Sequence, residues 1–155
     1  ILAIGFLGAS IAGIFGGRLI NNLGSRPLGF SGILITAIGL FAISYVNGPD
    51  SIPWMIVALF IQGFGTGLFQ TSYMYSITGM LPPEQRGVSG SITMLTRTIG
   101  VVSGVTVLTL VFSWFDGSGY QFQESFTLIF NLVGGGLFVF LLTTLPWPQV
   151  WFRKA

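Results

Sequence analysis

The sequence predicts an all-α membrane protein of five transmembrane helices. Three observations lead there. Only 6% of the 155 residues are charged, against 52% hydrophobic, whereas a soluble domain carries about 25% charged residues. Ten charges, six basic and four acidic, cannot clothe a solvated surface, so the outer surface must face lipid. Mean hydropathy is +0.83. Finally, polar punctuation divides the chain into five apolar stretches, each near the roughly 20 residues that a helix needs to cross a ~30 Å hydrocarbon core. The alternating segments of a membrane β-barrel are not seen.

The first stretch occupies residues 1–20 and begins inside an apolar run without a methionine or a basic leader. This reads as a cut through a longer protein rather than as a signal peptide. Small residues recur at Gly5, Ala9, Gly13 and Gly17. That stripe predicts close helix packing. The second stretch is residues 28–46, the third 53–78, the fourth 88–114 and the fifth 125–145. Between them lie Asn21–Pro27, Asn47–Ile52, Gly79–Gly87 and Phe115–Glu124, rich in Gly, Pro, Asn and Asp, as turns require. None is long enough to fold alone, so residues 1–155 read as one helical membrane domain.

Charge sorts these connections by side. Arg18 and Arg26 belong to the first, Arg86 to the third, Arg153 and Lys154 to the tail. The second and fourth carry Asp50, Asp116 and Glu124 and no Lys or Arg. The positive-inside rule then predicts a multi-pass cell-membrane protein with its C-terminus cytoplasmic and its N-terminal end outside. Trp147 and Trp151, next to Arg153 and Lys154, read as an interfacial anchor.

The third stretch carries Gln62, Thr66, Phe69, Tyr73 and Ser76 at spacings that place them on one helix face, with Gln70 on an adjacent face. Ile61, Leu68 and Met74 lie on the opposite sides. Hydroxyls and amides without partners are costly in hydrocarbon. The polar–aromatic face is therefore expected to line a water-filled cavity or to pack against neighbouring helices. In the fourth stretch Arg97 shares a face with Gly90, Thr93, Gly100 and Gly104, and these glycines, like Gly63 and Gly67 of the third stretch, are expected to pack against neighbouring helices. Arg97 sits roughly 15 Å into the helix, where an arginine costs a few kcal/mol unless paired or hydrated. It either snorkels to the interface or is held by a partner, a hydrated cavity or an anionic substrate group.

Other chemistry is thin. There is no Cys and no His, which removes disulfides, thiolates and the commonest metal ligands. Serines and threonines lack a histidine base, and no phosphate-binding loop is present. No enzyme activity, metal, cofactor or nucleic-acid binding is expected.

The segment Gly17–Arg26 resembles the cytoplasmic loop motif of the major facilitator superfamily, G-x-x-x-D-R-x-G-R-R. Gly17, Gly24 and Arg26 match, Arg18 lies inside it, and Asn21 stands where the family has Asp. A longer region, Gln62 to Gly104, resembles the EmrB/QacA-type drug-resistance branch. Gly63, Gly65, Gly67, Phe69 and Gln70 match its G-x-G-x-G-x-F-Q run. Pro83, Gln85, Arg86, Gly87, Ser89 and Gly90 fall within its P-x-E-x-R-G-x-A-S-G motif, and Arg97, Gly100 and Gly104 match R-x-x-G-x-x-x-G. Thr71, Ser72 and Tyr73 depart from the proline and asparagines of several members. The resemblance implies that the five spans form most of the C-terminal half-bundle of a major facilitator fold, paired with a missing N-terminal half that holds the proton-coupling acids. It implies a proton-coupled exporter of small amphipathic compounds or drugs, an antiporter. The alternatives are a metabolite uptake permease of the same superfamily and a non-transporting membrane module. The expected partners are the lipid bilayer, a small-molecule substrate and protons.

Overall fold

The computed structural model of the chain describes residues 2–45, 51–80, 82, 86–117 and 122–144. They form α1 (Leu2–Leu23), α2 (Ser25–Ser44), α3 (Ile52–Met80), α4 (Arg86–Gly117) and α5 (Phe122–Thr144). No strand occurs among the described residues. All five helices are long and apolar enough to cross a membrane. Asp50, Pro83, Glu84, Gln85 and the aromatic and basic tail, Trp147 to Lys154, lie outside the described residues.

Helix and apolar stretch do not coincide. α1 continues through Asn21 and Asn22 to Leu23, α2 begins at Ser25 rather than Leu28, and α4 extends to Gly117 rather than Trp114. Hydropathy marks the hydrocarbon layer, but a helix that satisfies its own backbone can continue into the headgroups. The expected turn Asn21–Pro27 is helical except at Gly24. Gly24 has φ 85° and ψ 164°, a backbone region essentially closed to residues with a Cβ. Its N–H donates to the Ile20 carbonyl at 2.8 Å and caps α1. Pro27 falls in the first turn of α2, where a missing N–H costs nothing.

α3 lies between α1 and α2. α5 packs on α2, and α4 borders α5 and, more lightly, α3. Glycines set the central contacts. A Cβ at Gly63 would collide with the Gly5 carbonyl, and one at Gly67 would sit 2.5 Å from the Ala9 carbonyl oxygen and 2.8 Å from the Ala12 Cβ. On the other side of α3, a Cβ at Gly65 would sit 2.5 Å from the Thr36 nitrogen and 2.8 Å from the Gly32 oxygen. Ala12, Ile20, Leu28 and Leu68 form the buried core, with Ile35 and Phe64 packed against it.

The stripe on α1 follows a different line from the one its spacing suggested. Gly5 and Ala9 meet α3, but Gly13 and Gly17 have no atom within 4 Å of a would-be Cβ. Each step of four advances about 40° beyond a full turn, so the stripe rotates out of the contact. Gly8, Ala12 and Gly16 complete the seam, against Phe60, Gly67 and Thr71.

Two stability predictions follow from these contacts. Gly63→Ala and Gly65→Ala each force backbone apart and should destabilise by about 1–3 kcal/mol, whereas Gly13→Ala meets open space and should be neutral or stabilising by up to about 1 kcal/mol. Thermal unfolding of the purified complete protein in detergent separates them. Gly24→Ala should cost about 1–3 kcal/mol through its positive φ alone, read in the same assay with Gly17→Ala as the tolerated neighbour.

Candidate functional site

A cavity of about 1030 Å³ lies between α1, α3 and α4, at the upper end of the range for small-molecule sites. α1 contributes Gly17 and Ile20, α3 contributes residues between Thr66 and Thr78, and α4 contributes Thr93, Thr96, Arg97 and Val101. Every lining residue comes from the part of its helix nearer the α1–α2 turn or, on α4, nearer its N-terminal end.

The polar–aromatic face of α3 divides along its length. Gln62 turns toward α2, where its backbone would meet a Cβ at Gly39. Its amide donates to the Thr66 hydroxyl at 3.3 Å, and that hydroxyl donates to the Gln62 carbonyl at 2.8 Å. Thr66, Phe69, Gln70 and Tyr73 line the cavity; Gln62 and Ser76 do not. The Phe69 and Tyr73 rings stack at 6.2 Å with planes 17° apart. Both expected environments therefore occur on one helix, packing toward the Gln62 end and cavity beyond Thr66.

Arg97 opens into the same cavity from α4. Thr93, Arg97 and Val101 recur every four residues and form the α4 wall. The neighbouring Gly90, Gly100 and Gly104 meet no atom within 4 Å of an added Cβ, so they make no close helix contact among the described residues. None of the apolar window of α4 is buried by the other helices. Arg97 has no hydrogen bond or ion pair with any described residue.

The turn motif is built differently. Arg18 and Asn21 are exposed and Arg26 is half-buried. Gly17, its first residue, lines the cavity, and Gly24 is the single residue joining the helices. Ser72, buried on α3, donates to the Ser25 carbonyl and ties the start of α2 to α3.

Several lining residues were not expected at the cavity from sequence, and Met74 was placed on the opposite side of α3. Thr71, Met74, Tyr75 and Thr78 lie off the face defined by Thr66 and Tyr73, because the cavity wraps further round α3 than one face. Thr96 directly precedes Arg97 in sequence, about 100° away around the helix, and its proximity to an intramembrane arginine was the available signal.

The threonines are satisfied within their own helices. Thr71 donates to the Gly67 carbonyl, Thr78 to Met74, Thr93 to Ser89 and Thr96 to Ile92, at 2.8–2.9 Å. They present methyl groups and lone pairs to the cavity without burying an unpaired donor. No group of three or more metal-ligating side chains occurs among the described residues.

Comparison with known proteins gives this arrangement a context. The chain is 30% identical to the multidrug resistance protein MdtH of Cronobacter sakazakii, over 82% of its own length and 28% of that protein. It is likewise 30% identical to the protein of that name from Aeromonas hydrophila, over 82% of the chain and 28% of the relative. The Citrobacter koseri protein is 30% identical over 66% of the chain and 24% of its own length. The chain thus spans about a quarter of these curated relatives. No solved structure matches it. The model of the Major Facilitator Superfamily matches residues 1–153, and the chain belongs to that family.

Proposed function

We propose that the chain forms most of the C-terminal half-bundle of a secondary active transporter that exports small amphipathic compounds in exchange for protons. The observation that carries this is the cavity beside α3, with an aromatic wall at Phe69 and Tyr73 and polar side chains on α3 and α4. Transporters of this kind bind substrate near the midplane between two related halves and rock one half against the other. A cavity walled by α1, α3 and α4 fits one side of such a site. The multidrug resistance names of the relatives favour amphipathic compounds over nutrients. The glycine run through Gly63, Gly65 and Gly67 and the Arg97–Gly104 motif favour the EmrB/QacA-type branch.

The orientation rests on charge. Arg18 and Arg26 flank the α1–α2 turn, and Asp116 and Glu124 lie at the opposite ends. With the basic side cytoplasmic, the cavity lies in the cytoplasmic half of the membrane, where an exporter collects its cargo. Gly24 then acts as the cytoplasmic pivot between α1 and α2.

The test is transport by the complete protein in proteoliposomes under an imposed pH gradient. A hydrophobic fluorescent dye should move against its gradient as protons move the other way. Dye movement indifferent to the pH gradient would remove proton exchange, and accumulation of a nutrient in place of the dye would make the protein an uptake permease. Thr96→Trp, which fills the cavity, should abolish dye movement at unchanged membrane abundance. Thr98→Trp should not: Thr98 is also exposed and bonded to its own helix, at Met94, but it does not line the cavity.

A further inference from the structure

The described wall of the cavity is mostly apolar and carries a cationic group. Arg97 is the one Arg, Lys, Asp or Glu among its described lining residues. It lies three to four residues from the centre of the apolar segment Gly87–Trp114, about 5 Å along the helix axis. Five threonine hydroxyls at the cavity spend their protons on carbonyls of their own helices. The unspent donors are the N–H groups of Arg97, the Gln70 amide and the phenols of Tyr73 and Tyr75, none hydrogen-bonded to a described residue. The stacked Phe69–Tyr73 pair lines the same cavity from α3.

Resting on the reading of this cavity as the solute path, we infer that its preferred substrates are amphipathic anions: a planar apolar body against Phe69 and Tyr73, and a carboxylate or sulfonate on the Arg97 guanidinium. Three features select the charge. A cation would be repelled at Arg97, the one fixed charge among the described lining residues. A carboxylate accepts two parallel N–H bonds from a guanidinium, a geometry that a point charge does not reproduce. The threonines offer no free donors that could replace Arg97, so a neutral head group would leave its N–H groups unpaired once water is displaced. Charge-assisted hydrogen bonds of this type correspond to about 10- to 100-fold in affinity.

The experiment uses the complete transporter in phosphatidylcholine nanodiscs near neutral pH, with three probes sharing one ring system: 2-naphthoate, 2-naphthyltrimethylammonium and neutral 2-acetylnaphthalene. Naphthoate should bind about 10-fold or more tighter than the ammonium probe. Arg97→Gln should remove that advantage and bind the neutral probe at least as tightly, since no guanidinium is then left unpaired; an unchanged thermal unfolding transition shows that the variant is folded. Arg97→Lys should fall between the two. Preferential binding of the ammonium probe overturns the inference and leaves the transporter reading standing. Equal weakening of all three probes by Arg97→Gln also overturns it, since it assigns Arg97 a purely structural role. Absence of binding by any probe to folded protein removes the cavity as a solute site, and both readings with it. Loss of naphthoate binding when phosphatidylglycerol is included would assign the guanidinium to a lipid headgroup and overturn the inference as well.

Discussion

The contact of α3 backbone with α1 on one side and α2 on the other is the constraint on which the rest of the structure depends. Between helices in lipid there is no hydrophobic driving force, because the acyl chains are as apolar as the side chains they replace. Association rests on dispersion, which falls away steeply with separation. Gly63 and Gly67 differ by about 40° around the helix and Gly65 points roughly opposite. The alternating glycines therefore bring two neighbours to backbone distance at the same height. Phe64 and Leu68, interleaved with them, fill the space around Ala12, Ile20 and Leu28. A run that looks like a loop fingerprint is a double seam in a continuous helix.

The seam also determines where a cavity can form. α1, α2 and α3 are held by close contact, and α5 is tied to α2 by the Ser44 hydroxyl, which donates to the Thr127 carbonyl at 3.3 Å. Trp54 adds a bond from its indole N–H to the Ala42 carbonyl at 3.0 Å. α4 has no comparable seam: its Gly90, Gly100 and Gly104 face open space among the described residues. The open volume lies where α4 stands off from α3. Its walls remain compatible with an apolar surrounding because the threonine hydroxyls return their protons to the helix that carries them.

The number, type and approximate position of the helices were legible in the sequence, because a lipid-facing chain must announce each span by length and hydropathy. The ends were not: polar residues such as Asn21 and Asn22 remain helical once outside the hydrocarbon. The glycine stripe of α1 was half legible. Gly5 and Ala9 are in the seam, but continuing in steps of four from Gly5 rotates past it at Gly13 and Gly17, whereas Gly8, Ala12 and Gly16, offset by one position, stay within it. Thr66, Phe69, Gln70, Tyr73 and Arg97 were identified from spacing and type, and the structure brings them round one cavity. Gln62 shares their face and leaves it, because Gly39 on α2 lets that helix approach at its height. Such a choice depends on the partner helix, and no periodicity within α3 contains it.

Arg97 connects the weak packing of α4 to the cavity. A helix held by few contacts among the described residues could rotate about its own axis, since aliphatic side chains occupy much of its circumference. One step of about 100° would carry Arg97 from the cavity toward hydrocarbon. That move costs at least about 2.5–3.5 kcal/mol on insertion scales, comparable with the overpacking penalty that a side chain forced into a tight core incurs. A cavity of this size has room for water around the guanidinium instead. The arginine therefore disfavours rotations of α4 that would carry it out of the cavity. Thr93 and Thr96 lie within one turn of Arg97, so the orientation that keeps Arg97 in the cavity carries them to its wall.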